Sequence, residues 1–124
     1  MANEGKSQLL ITFVATPEKV DEIDRLIASH ATWMAQTHHR EGSKALLSYD
    51  FSKGPELANP LDPGSEETGN TRYVLNEIYE SPEGIEDHWR QAQASWGDFA
   101  AMVELIGSSN PQSLHTGEIT ASLW

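Results

Sequence analysis

The sequence predicts an α+β fold of order β-α-β-β-α-β, with helices packed on a four-stranded antiparallel sheet. Three observations carry that prediction. Two helix starts share one form, Thr16-Pro17 and Ser81-Pro82-Glu83, a hydroxyl residue followed by proline at the first helical position. Each follows a run rich in β-branched and aromatic residues, Gln8 to Ala15 and Arg72 to Tyr79. At 124 residues a single domain over 1–124 is expected, burying roughly two-thirds of its unfolded surface.

Taken in order, residues 1–6 read as a frayed tail and Gln8 to Ala15 as the first strand, apolar on both of its sides. The first helix is placed at 17–37, where Val20, Ile23, Ile27, His30 and Met34 recur at helical spacing and Leu26 and Trp33 flank the stripe. Its opposite face carries Glu18, Asp21, Glu22 and Arg25. Ala45 to Phe51 reads as the second strand. Residues 52–70 hold Gly54-Pro55, Asn59-Pro60, Asp62-Pro63-Gly64 and Gly69-Asn70, and read as a long loop insertion, a lid or a mobile surface segment. Arg72 to Tyr79 is the third strand. The second helix follows Ser81, with Ile85, His88, Ala92, Trp96, Phe99 and Met102 on one face and Gly97 as its natural break. A last strand is placed around Glu118 to Ser122.

Two βα crossovers on one antiparallel sheet give the ferredoxin-like split arrangement, with both helices on one face. Leu9–Val14 and Tyr73–Ile78 are nevertheless apolar on both faces. The economical cover for the bare face is a second copy of the chain, so a homodimer through the sheet face is expected.

Composition narrows the partners. Eight basic against 19 acidic residues give a net charge of −11, with no basic cluster to hold a phosphate backbone. Nucleic acid and anionic membrane surfaces are therefore not expected as partners. With no cysteine, there is neither a thiol nucleophile nor a Cys-ligated metal. The apolar run Leu9–Ala15 is far short of the roughly 20 residues that span a bilayer, and Met-Ala-Asn-Glu-Gly-Lys lacks the features of a signal peptide, so a cytoplasmic location is expected.

Arg40-Glu41-Gly42 leading to Leu47-Ser48-Tyr49, and the run Tyr73 to Glu83 followed by His88, resemble the dimeric α/β-barrel superfamily. Within it the likeness is to the antibiotic biosynthesis monooxygenase-like proteins, over roughly residues 8–106. The chain departs from that family in the 52–70 insertion and in Ser95-Trp96-Gly97-Asp98-Phe99, where the family's second histidine is absent. The resemblance implies a monooxygenase that needs no cofactor and acts on a phenolic or polycyclic aromatic, quinol-like molecule.

On that reading His88 is the general base, its side chain directed toward the sheet between Ile85 and Ala92. Asn76, grouped with Val74 and Ile78, would orient a substrate oxygen or stabilise an oxyanion. Tyr49, Tyr79, Trp89 and Trp96 would wall the substrate pocket, with Trp33 and Tyr73 as further aromatics that serve a core equally well. His38-His39 with Glu41 lacks a spaced ligand motif and reads as a helix C-terminus rather than a metal site, so no metal is expected. A haem-degrading relative would carry Asn where this chain has Thr12 and His where it has Asp98. The alternative from another class is a non-catalytic, small-molecule-binding or structural dimer, marked by a pocket that tryptophans fill.

Overall fold

The computed structural model describes residues 2–124. β1 (Ser7–Ala15) leads through one 3-10 turn, Pro17–Lys19, into α1 (Val20–Thr37). There follow β2 (Leu46–Leu57), β3 (Glu67–Tyr79), α2 (Pro82–Ser95), α3 (Phe99–Gly107) and β4 (Gln112–Glu118). The sheet has four strands in the order β2-β3-β1-β4, every neighbouring pair antiparallel. This is the ferredoxin-like order, with the strands that open each βα unit at its centre.

Strand alternation decides which residues meet the helices. From β1 they are Leu9, Phe13 and Ala15, and from β3 Tyr73, Leu75, Glu77 and Tyr79, all buried. The opposite face presents Leu10, Thr12 and Val14 beside Val74, Asn76 and Ile78, all half-buried. Under the helices, Phe13 stacks on Tyr73 with ring centroids 5.1 Å apart, and Ile23 completes that cluster. Burial of each large apolar side chain stabilises the fold by roughly 1.5–3 kcal/mol.

The long loop expected over 52–70 is mostly strand. β2 continues to Leu57 and β3 begins at Glu67, with pairing from Ser52↔Val74 to Leu57↔Glu67, so only 58–66 links them. Pro55 is tolerated because β2 is an edge strand, where a missing N–H costs no ladder bond. The last strand lies earlier than 118–122. Asn110 turns the chain at φ 49° before Pro111, and β4 then pairs along β1 with mostly exposed, polar residues that give little periodic signal. The second helix does divide around Gly97, into α2 and α3. Neither Thr16 nor Ser81 caps its helix through the side chain: Thr16 Oγ1 bonds Glu18 and Ser81 Oγ donates to the Ser43 carbonyl.

One glycine sets the height of α2 above the sheet. A Cβ on Gly84 would lie 2.6 Å from Tyr79 Cδ1 and 2.9 Å from the Lys44 carbonyl oxygen. Only glycine permits so close an approach, and His88, four residues on, is thereby pressed onto the same stretch of β3.

Candidate functional site

Between α1, α2 and the sheet, the core is polar. His30 from α1, Glu77 from β3 and His88 from α2 are all buried, Glu77 completely. One ligand-capable atom from each lies within 4.8 Å of the other two. His38, just past the end of α1, stands beside them with Nε2 2.8 Å from His88 Nδ1. Tyr49 Oη lies 2.8 Å from His30 Nδ1, and Tyr79 Oη donates to Glu77 Oε1 at 2.5 Å. Trp33 and Trp96, stacked with centroids 5.7 Å apart, close the side toward α1.

Hydrogen bonding fixes the proton positions. Thr37 Oγ1 donates its only proton to the Trp33 carbonyl at 2.8 Å. It must therefore accept from His38 Nδ1, 3.0 Å away. Burial holds the His38 pKa down at about 4, so the ring is neutral and its Nε2 is an acceptor. His88 Nδ1 then donates to it. Burial, helped by the neighbouring histidines, pushes the His88 pKa to about 2. The neutral His88 ring is left with its lone pair on Nε2.

His30 is also neutral, its pKa lowered to about 4 by burial and by His38. Glu77 moves the other way. Burial raises its pKa to about 7 against the opposing hydrogen bond from Tyr79, so near neutrality its carboxyl is poised between holding and releasing a proton. Burial, with Glu77 nearby, pushes the Tyr49 and Tyr79 phenols upward, and both stay protonated. Among the described residues, Glu77 Oε2 and Trp89 Nε1 are buried side-chain atoms without a hydrogen-bond partner. Unsatisfied polar atoms at such depth are uncommon and costly.

A cavity of about 50 Å³ opens beside the two imidazoles, lined by Ile11, His30, His88, Trp89, Trp96 and Met102. Apart from the histidines its walls are apolar. Outside, a groove of about 250 Å³ between α1 and β2 is lined by Met34, His38, Arg40 and Tyr49. His38 thus stands between His88 and open solvent.

The structure brings His88, Tyr49, Tyr79, Trp89 and Trp96 into one neighbourhood. Trp89 is half-buried and stacks on His115 of β4 at 5.7 Å, while the Trp96 indole donates to Ser29 Oγ at 3.0 Å. Asn76 is not among them. It lies on the opposite sheet face, where its Oδ1 accepts from Gln8 Nε2 at 2.8 Å, because Glu77 and Leu75 take the helix-facing positions of β3. Two residues of the site carry no signal of it in the sequence: Glu77 is one polar residue of an apolar strand, and His30 one member of a helical core stripe. Asp98 is held at the surface by Ser29 and Arg25, and Thr12 lies on the open face.

No family model and no curated protein matches the chain. Among solved structures it is similar to a dimeric ferredoxin-like protein from an uncultured marine organism. The TM-score is 0.58 at 15% identity, with 95% of this chain and 99% of that one covered. At that identity the likeness concerns the fold alone, and it agrees with the ferredoxin-like strand order of this chain.

Proposed function

We propose that the chain is a cofactor-independent oxygenase of small phenolic or polycyclic aromatic molecules, working as a homodimer. The supporting observation is the lone pair on His88 Nε2, set in a mostly apolar cleft and backed by a hydrogen-bonded path through His38 toward solvent. A phenol entering the cleft gives its proton to that nitrogen as His88 passes its Nδ1 proton to His38, so the ring, whose burial disfavours the imidazolium, never holds both protons. The buried indole N–H of Trp89, unpartnered among the described residues, is a donor for the phenolate oxygen. A phenolate with an open para carbon is electron-rich enough to reduce O2 directly. Oxygen bonds at that carbon, its proton is lost, and water leaves to give the quinone, so that phenol and O2 become quinone and water. The resemblance to the antibiotic biosynthesis monooxygenase-like proteins favours the same reading.

The cavity is small for that task. An aromatic ring of benzene size occupies a cavity of roughly 150 Å³, so binding requires α3 to move outward about the Trp96–Asp98 link. That helix is only 9 residues long, with most of its residues exposed or half-buried. The packing of Trp33 and Trp96 into the site favours the second reading, a binding or structural dimer without catalysis.

Oxygen uptake with 1-naphthol-type substrates, whose para carbon is open, separates the two. His88→Ala is expected to lower the rate by about 10²–10⁴, the usual contribution of a positioned base. A rate unchanged in that variant would remove His88 from the mechanism. Quenching of tryptophan fluorescence by the same aromatics, without oxygen uptake, would leave the binding reading standing.

A further inference from the structure

We propose that His30, Glu77 and His88 form a binding site for a divalent first-row transition-metal ion. These three are a group of buried, ligand-capable side chains drawn from three different elements. Two imidazoles and one carboxylate suit zinc, iron(II) or cobalt(II) and leave coordination positions open. Ligand bonds of about 2.1 Å at tetrahedral or octahedral angles need ligand atoms roughly 3.0–3.5 Å apart. One ligand-capable atom of each residue already lies within 4.8 Å of those of the other two, and His88 Nδ1 stands 3.8 Å from Glu77 Oε1, so the set must draw together by about an ångström on binding an ion.

Two further features point to a cation. Glu77 is wholly buried and its Oε2 meets no donor among the described residues, an acceptor left empty in the protein interior. The other atoms of the set are already braced: Tyr79 donates to Glu77 Oε1, Tyr49 holds His30 Nδ1, and His38 holds His88 Nδ1. Outer hydrogen bonds of this kind orient metal ligands and fix their tautomers. With three protein ligands, the open positions would face the apolar cavity that His30 and His88 line.

The inference does not rest on the proton-abstraction reading. A cation that takes the lone pair of His88 leaves none for a substrate proton, so the two use the same ring in different states. The test accordingly needs no substrate. Titration of chelator-treated protein with Co2+ is expected to give one equivalent per chain and visible d–d bands of a low-coordinate nitrogen–oxygen site. Glu77→Gln keeps the volume and the acceptor for Tyr79, and His30→Gln is a second, independent variant. Each is expected to weaken Co2+ binding by more than the roughly 10–100-fold that losing an outer hydrogen-bond partner costs, with circular dichroism confirming the fold. Replacing the exposed His39 and His115 by alanine should leave binding unchanged. Co2+ affinity equal in wild type, Glu77→Gln and His30→Gln, or binding abolished with the exposed histidines, overturns the proposal.

Discussion

In the presence of a chelator, thermal stability is expected to drop steeply as the pH falls from 6.5 to 4. His30 and His88 are buried and neutral, with pKa values displaced from 6.5 to about 4 and about 2. In the unfolded chain both take up protons near pH 6.5. Between that pH and the folded values, the unfolded state holds more protons than the native one, so acidification favours unfolding. At about 1.4 kcal/mol per pKa unit, the pair withdraws on the order of 7 kcal/mol by pH 4. Glu77 acts in the opposite sense. Its pKa is raised from 4.5 to about 7, so its contribution is full below 4.5 and is lost as the pH climbs through 7. Acidification therefore returns about 3 kcal/mol from Glu77. His38, partly open to solvent, adds to the acid loss with its charge screened. The remaining loss of about 4 kcal/mol is a large share of the 5–15 kcal/mol that typically holds a domain together. It corresponds to a Tm lowered by roughly 10–20 °C. Melting curves followed by circular dichroism from pH 8 to 4 measure this directly, and Glu77→Gln, lacking the opposing group, should fall more steeply still. A Tm that stays flat between pH 6.5 and 4.5 would mean that these imidazoles are not held neutral in the folded protein.

The same residues show how far the sequence could be read. The helix starts, the paired central strands and the break at Gly97 follow from local chemistry and are visible without tertiary information. The position of His88 on the sheet-facing side of its helix follows from spacing alone. Which face of β3 meets the helices does not. Tyr73, Leu75, Glu77 and Tyr79 compete with Val74, Asn76 and Ile78, and both sets are largely apolar with one polar member. A shift of one residue exchanges the two sets, so the pattern alone offers Asn76 to the pocket as readily as Glu77. The aromatics at 73 and 79 were the available signal, since bulky rings fill the space beneath helices better than an open face. His30 was hidden for the opposite reason: one histidine in a stripe of valine, isoleucine and methionine looks like packing. Only tertiary structure brings it to Glu77. Residues 52–57 and 67–70 read as loop from sequence yet form strand, because turn-forming residues are also what an exposed edge hairpin uses.

In the proposed homodimer, Leu10→Lys is expected to leave the fold intact and to separate the two copies into 13.7 kDa monomers. Leu10 lies on β1 at the middle of the sheet face that no helix covers, between Asn76 of β3 and Leu114 of β4. Leu114 is 48% exposed, and Val74 and Ile78 extend the same apolar strip. Within one chain a lysine at position 10 has water to point into, so the fold loses little. In a symmetric dimer the substitution occurs twice in one isologous interface, and each buried ammonium costs several kcal/mol in desolvation. Long-range charge acts in the other direction. Each chain carries −11, and an added lysine lowers the repulsion between copies. Dissociation in spite of that gain would trace the effect to the buried strip rather than to net charge. By the same logic the wild-type dimer should tighten as salt screens the repulsion. Sedimentation velocity at micromolar concentration, at low and high salt, tests both statements. A wild-type chain that sediments as a monomer, or a Leu10→Lys chain that stays dimeric, would show that the open face is not where two copies meet.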